Sequence, residues 1–180
     1  MNSKGVYFKF ALIAVVVIAT AFSFSFSLPN SVQKKVDKEL ANLWPEASIV
    51  LLEDEISSEK RKAALAIGIT SIYKLYEEGE LKGYMVYLKV PSKFDYFDLG
   101  IFYDLDLKIK SMKVLVYRED HGGEVGSKRW LKQFIGKGVE DPLMLNEDIQ
   151  GISGATISCE AATIGAREVS EFMNNRYKNL

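Results

Sequence analysis

The sequence predicts an α+β fold: an antiparallel β-meander sheet packed with helices, behind a single N-terminal transmembrane helix. Three observations carry that prediction. Residues from Ile69 to Arg118 are rich in β-branched and aromatic types with frequent alternation. Turn signals punctuate that block at short intervals, so its strands follow one another as a meander and not as βαβ units. Amphipathic helical stretches lie before and after the block. The chain has 180 residues, which suits one domain plus a short appendage. Hydrophobic residues make up 48% and charged residues 26%, so a packed core is feasible and composition argues against wholesale disorder. A net charge of -1 argues against non-specific nucleic-acid binding, which needs a basic surface.

The elements follow in order. Phe10 to Leu28 is nearly continuous apolar sequence, preceded by Lys4 and Lys9 and closed by Pro29. At about 1.5 Å per residue it spans close to 30 Å, the thickness of a bilayer's hydrocarbon core. The basic residues before it favour an N-in, C-out orientation. Residues 1–29 are therefore expected to anchor the chain in the cytoplasmic (inner) membrane, with 30–180 forming an extracytoplasmic domain. The rival expectation is a signal peptide cleaved at Ala19-Thr20-Ala21, although the apolar run continues past Ala21. No cysteine stands directly after the run, which excludes a lipoprotein anchor.

Asn30-Ser31 is expected to cap a helix through about Leu43, amphipathic through Val32, Val36, Leu40 and Leu43 and ended by Trp44-Pro45. Ser48 to Leu52 is a short β-like run. Glu53 to Gly68 predicts a second helix, with Gly68 as its C-cap. Strands are expected at Ile72–Tyr76, Tyr84–Val90, Leu99–Leu105 and Lys110–Tyr117. Glu78-Gly79 and Lys82-Gly83 punctuate the first connection, Pro91-Ser92-Lys93 and Asp104 to Asp106 the later ones. Of the sheet aromatics Tyr84, Tyr87, Phe94, Tyr96, Phe97, Phe102 and Tyr103, most are expected in the core, with Tyr96 or Phe97 as candidates for a partner surface. Ser127 caps a short helix that Gly136-Lys137-Gly138 stops, and Ser158 to Tyr177 forms a closing helix with Ala161, Ala162, Ile164, Val169 and Phe172 tending to one face.

The chemistry concentrates just before that closing helix, in Gly151-Ile152-Ser153-Gly154-Ala155-Thr156-Ile157-Ser158. Gly154 and Ala155 leave the backbone uncovered, so a bulky anion can approach closely. Ser153, Thr156 and Ser158 offer hydroxyls and N-cap chemistry. A helix start presents free N–H groups and a positive dipole end, a ready phosphate site. The residues alone thus support a phosphate-binding turn, with a plain helix cap as the simpler role for Thr156. No Ser-His-Asp arrangement, P-loop or dinucleotide glycine fingerprint is present. His121 is the only histidine and Cys159 the only cysteine. No metal site is expected, and Cys159 reads as a small packing residue.

Ser153 to Ser158 also resembles the flavinylation motif of the FMN-binding domain family, which includes the G subunit of Rnf electron-transport complexes and the C subunit of the sodium-translocating NADH:quinone reductase. Tyr117-Arg118-Glu119, Gly123-Glu124-Val125, Gln133-Phe134 and Gly136-Lys137 are similar in order and spacing to a segment preceding that motif. The family pattern has an aspartate three residues before the serine, where this chain has Gln150, and many members carry Glu-Thr-Pro-Gly-Leu-Gly where it has Gly122 to Gly126. The resemblance implies FMN held by a phosphoester to Thr156, installed by a separate flavin transferase. The three glycines of His121 to Gly126 permit close backbone approach, so that loop either packs over the isoalloxazine with Glu124 against the ring or is an ordinary surface loop with Glu124 in water. Lys137 either offsets the charge of reduced flavin or is a solvated charge at a helix end. Cofactor contacts are then expected at Ser153, Gly154, Ala155, Thr156, Ser158, Glu124 and Lys137, with no catalytic residue of the chain's own. The expected function is a membrane-anchored electron-transfer flavoprotein, either an Rnf-like subunit or a freestanding carrier, exchanging electrons with membrane redox subunits or other carriers. The alternative from another class is a non-catalytic extracytoplasmic module that binds a phosphorylated ligand reversibly. A third is a structural subunit whose motif has decayed.

Overall fold

A computed structural model describes residues 28–178. The apolar span expected at 10–28 lies outside them except for Leu28, and among the described residues no helix is long and apolar enough to cross a membrane. Helix α1 (Asn30–Leu43) buries Val32, Val36 and Leu40 along one stripe, the i, i+4 spacing of a single helical face. It starts earlier than its cap signal suggests: Pro29 is the N-cap, and its carbonyl accepts from the N–H groups of Val32 and Gln33 at 2.8 and 2.9 Å.

Strand β1 (Val50–Glu53) and helix α2 (Ser58–Ala66) follow. The expected helix from Glu53 is thus shortened at its start, because Glu53 pairs with Tyr73 in the sheet and Ser57 supplies the cap. Strands β2 (Ile69–Glu77), β3 (Glu80–Pro91), β4 (Tyr96–Tyr103) and β5 (Ile109–Val116) complete a five-stranded antiparallel sheet in the order β1-β2-β3-β4-β5. Glu78-Gly79 makes the first hairpin turn, but Lys82-Gly83 lies inside β3. Gly83 stands opposite Leu75 where the register shifts, the usual place for a glycine inside a strand.

The sheet is covered on both faces. Tyr84, Val86, Leu88 and Val90 of β3, with Phe97, Leu99, Ile101 and Tyr103 of β4, pack toward the closing helix α4 (Thr156–Tyr177). Met85, Tyr87 and Phe102 point the other way and pack with Val32, Val36 and Leu40 of α1. Seven of the eight residues of β4 are buried, as expected of a strand without a wet side. Between β5 and α4 the chain forms a 3-10 turn (Gly123–Gly126), the short helix α3 (Lys128–Leu131) and a second 3-10 turn (Lys132–Phe134).

Helix α4 begins two residues before the expected Ser158. Its buried face is Cys159, Ala162, Ala166, Val169 and Met173 together with Gly165; Ile164 is outside, and Ala161 and Phe172 are only partly buried. Small residues let the helix sit close to the sheet, so that a methyl on Gly165 would stand 2.8 Å from Val90 Cγ1. At the far end of α4, Arg176 and Tyr177 both reach the Asp54 carboxylate, which also takes Lys74 at 2.8 Å.

One charge is buried within the sheet. Asp98 is 1% exposed, and Arg118 grips it with both terminal nitrogens at 2.8 and 2.9 Å while the Tyr87 hydroxyl donates to it at 2.7 Å. Burial pushes the Asp98 carboxyl up, but the Arg118 fork and Tyr87 outweigh it and hold it below the usual carboxylate range. A carboxyl with a depressed folded-state pKa stabilises the fold above its unfolded value of about 3.9 and loses that contribution as pH falls through the folded value. Asp98→Asn should lower stability near neutral pH by about 1.5–3 kcal/mol, the range for hydrogen bonds to a charged group. Urea titrations from pH 7 to 3 should show the gap between wild type and variant closing below pH 4; a constant gap would contradict the assignment.

Candidate functional site

Three segments meet at one end of the sheet: the tip of the β3–β4 hairpin (92–95), the chain leaving β5 (117–122), and the turn into α4 (154–158). Together they line a cleft of about 750 Å³, within the size range of small-molecule sites. Each segment is positioned by contacts the others supply. Arg118, besides holding Asp98, donates to the Tyr96 carbonyl at 2.9 Å. Glu119 accepts from the backbone N–H groups of Phe94 and Asp95 at 2.8 and 2.9 Å. Those bonds, the one from Phe94 first, hold the Glu119 carboxyl below its usual range.

The turn into α4 is gripped from behind. Gln150 donates its N–H to Gln133 Oε1 at 2.8 Å and accepts from Trp130 Nε1 at 2.7 Å through its carbonyl. These bonds use only the backbone of Gln150, so the anchorage of the turn does not depend on the side chain at that position. Asp148, the nearby carboxylate, is turned inward to cap its own loop through the N–H groups of Leu143 and Met144.

Thr156 is the first residue of α4, and the N-cap is Ala155, which makes no side-chain cap bond. Neither Thr156, Ser153 nor Ser158 acts as the cap. A helix leaves its first N–H groups without intrahelical partners, and alanine at the N-cap forgoes roughly 1 kcal/mol that serine or aspartate would supply. No side-chain oxygen therefore caps the first turn, which forms the positive end of a 22-residue helix and whose residues Thr156, Ile157 and Ser158 line the cleft. Thr156 is exposed and lines the cleft. Gly154, also exposed, takes φ +84°, and a methyl there would meet nothing within 4 Å; its value is the left-handed turn and the uncovered backbone.

Ser158 has a different place. It is 3% exposed, and its Oγ lies 2.9 Å from Tyr117 Oη and 3.1 Å from Ser92 Oγ. Tyr117 spends its proton on the His121 carbonyl at 2.7 Å, so Ser158 donates to Tyr117. This hydroxyl cluster ties the three cleft segments together. Gly122 closes over it with φ +83°, where a methyl would stand 2.7 Å from Tyr117 Oη and 3.0 Å from Ser158 Oγ.

The remaining expected residues are elsewhere. Ser153 is exposed beside the cleft but does not line it. Glu124 sits on the 3-10 turn after Gly122, outside the lining. Lys137 is bound to Asp148 at 2.9 Å and is also outside it. The cations that do line the cleft are Lys93 and Arg118, neither of them singled out by sequence as a site residue. Their signal was the turn at Pro91-Ser92-Lys93 and the Tyr117-Arg118-Glu119 run, whose convergence only the strand order reveals. Cys159 is fully buried, and burial pushes its thiol up, which suits packing. Among the described residues no cluster of three or more histidines, cysteines or carboxylates could hold a metal ion.

Gly122→Ala should cost about 2–3 kcal/mol, combining left-handed strain of about 1–2 with the displaced hydroxyl bonds of about 1. Thermal unfolding reads this directly, and a variant as stable as wild type would show that the cluster is not tightly held.

Residues 96–171 match the family model described as an FMN-binding domain. The match runs from β4 to the last third of α4 and includes two of the three cleft segments, leaving out the hairpin tip. No curated protein matches the chain.

Proposed function

We propose, from the match of residues 96–171 to an FMN-binding domain, that the chain binds flavin, that FMN is held covalently by a phosphoester to Thr156 Oγ1, and that the protein serves as an electron carrier. One observation carries the proposal: the only threonine of the motif is exposed at the uncapped start of a long helix, on the wall of a ligand-sized cleft. The residues fit the group. The first-turn N–H groups and the helix dipole receive the phosphate, Gly154 leaves the backbone open to it, and the cleft between the hairpin tip and residues 118–122 takes the ring. The isoalloxazine supplies one- and two-electron redox chemistry, while the protein sets its position, its exposure and the charge beside it.

A covalent bond also suits the address that the N-terminal apolar run suggests. A chain anchored in the cytoplasmic membrane with its domain outside would lose a dissociable cofactor wherever free FMN is scarce. The anchor would keep the domain near membrane redox subunits or other carriers and raise its effective concentration there. A separate flavin transferase would perform the attachment.

Coexpressed with a flavin transferase, the chain should gain the mass of FMN less one water and fluoresce on a denaturing gel. Thr156→Val should abolish both signals; covalent flavin retained in that variant would reject the site. Flavin that colours the native protein yet leaves the denatured band would instead favour reversible binding of a phosphorylated ligand. Charge near the ring makes a second test. Lys93→Gln should lower the midpoint potential of the bound flavin, because a cation beside the ring favours its reduced, more negative form. Lys137→Gln should leave the potential where it is and reduce stability only, since Lys137 answers to Asp148. Potentiometric titration of the two variants separates them, and equal shifts would overturn the distinction.

A further inference from the structure

We infer that Phe94 is the aromatic face on which the isoalloxazine lies, a positioning residue for the flavin that rests on the attachment at Thr156 proposed above. Phe94 is 83% exposed, the most exposed of the large hydrophobic residues among those described. Single exposed hydrophobics are ordinary, but three features set this one apart. Phe94 lines the same cleft as Thr156. Its backbone is held: Phe94 and Asp95 both donate to Glu119, and Ser92 donates to the Asp95 carbonyl at 2.7 Å, closing the tip. An apolar ring on a pinned turn is offered to the cleft at little further cost in ordering.

The third feature is Lys93, whose ammonium sits 4.9 Å from the centre of the Phe94 ring. A cation over one face leaves the opposite face for a second π system, and an electron-poor isoalloxazine is a suitable partner for it in an offset stack. The same placement carries the Lys93 charge close to the flavin. Tyr96, the other exposed aromatic of this hairpin, faces the adjoining groove and does not line the cleft, so the role falls to Phe94. Residue 94 also lies outside the segment that matches the FMN-binding domain.

The test uses the full chain carrying covalent FMN, its loading confirmed by mass. Phe94→Trp places an easily oxidised indole at position 94. An excited flavin stacked on it takes an electron from the indole and returns it without emitting, which a phenyl ring does not support. Flavin emission should therefore fall severalfold, and a long-wavelength charge-transfer shoulder should appear in absorption. Leu105→Trp is the control: Leu105 is 54% exposed at the opposite end of β4, a strand length of roughly 26 Å away at about 3.3 Å per residue. It should leave both signals as in wild type. Phe94→Ala should lower the fluorescence anisotropy of the flavin by freeing the ring. All three substitutions fall on exposed side chains and should leave the fold intact. A loaded Phe94→Trp protein with neither quenching nor the shoulder relative to Leu105→Trp overturns the stack while the attachment stands. A wild-type chain that gains no FMN mass overturns the attachment, and the stack with it.

Discussion

The arrangement of this domain depends on a carboxylate buried where the sheet has no wet face. Asp98 lies on β4, a strand covered on both sides, and an ionised group there needs a cation and hydrogen bonds at once. Arg118 supplies the cation, and it does so from the point where the chain has just left β5. Bringing Arg118 back over the start of β4 fixes the direction of the next four residues. Glu119 then meets the hairpin tip, Tyr117 meets the start of α4, and the cleft walls follow. The bidentate geometry matters because it sets an orientation as well as a charge balance.

Around that pair the molecule divides its labour between a stiff platform and short connecting segments. Two apolar layers clamp the sheet, α1 on one side and α4 on the other. The groups with chemistry to perform stand on the connections at one end, the usual division between scaffold and site. What makes the end of the sheet receptive is partly what it lacks. The helix start carries alanine where a capping oxygen would normally stand, so its donors remain available to an outside anion. The hydroxyl cluster of Ser92, Tyr117 and Ser158 sits just behind, keeping the neighbouring backbone in place without occupying those donors.

Much of this was legible in the sequence, and the exceptions have physical causes. The meander was readable from β-branched and aromatic runs separated by tight turns, and the helix start from small residues ahead of a long amphipathic run. The motif marked Thr156 without revealing that Ala155, and not a hydroxyl residue, would be the cap. Lys137 could be read as a cation for a cofactor or as a solvated charge, but the carboxylate of Asp148, bent inward to bond Leu143 and Met144, claims it. Phe94 looked like one more core aromatic among several. It is surface because the hairpin turns at 92–95, and it belongs to the site because strand order returns residues 118–122 and 154–158 to the same end. Such convergence is a long-range property that no local pattern encodes. The face of α4 was misjudged for a related reason: Ile164 is the larger hydrophobe, yet Gly165 and Ala166 permit a closeness to β3 that Ile164 does not.

That closeness makes the helix a gauge as well as a cover. With a methyl at 165 only 2.8 Å from the stiff Val90 side chain, no slack separates the helix axis from the sheet. Thr156 is nine residues upstream on the same rigid rod, roughly 14 Å at 1.5 Å per residue. A bulkier side chain at 165 would tilt the rod and swing its leading end, displacing the threonine without touching it. Residues that never meet a ligand can therefore set where the ligand is hung, and drift at this buried seam would be felt first at the opposite tip.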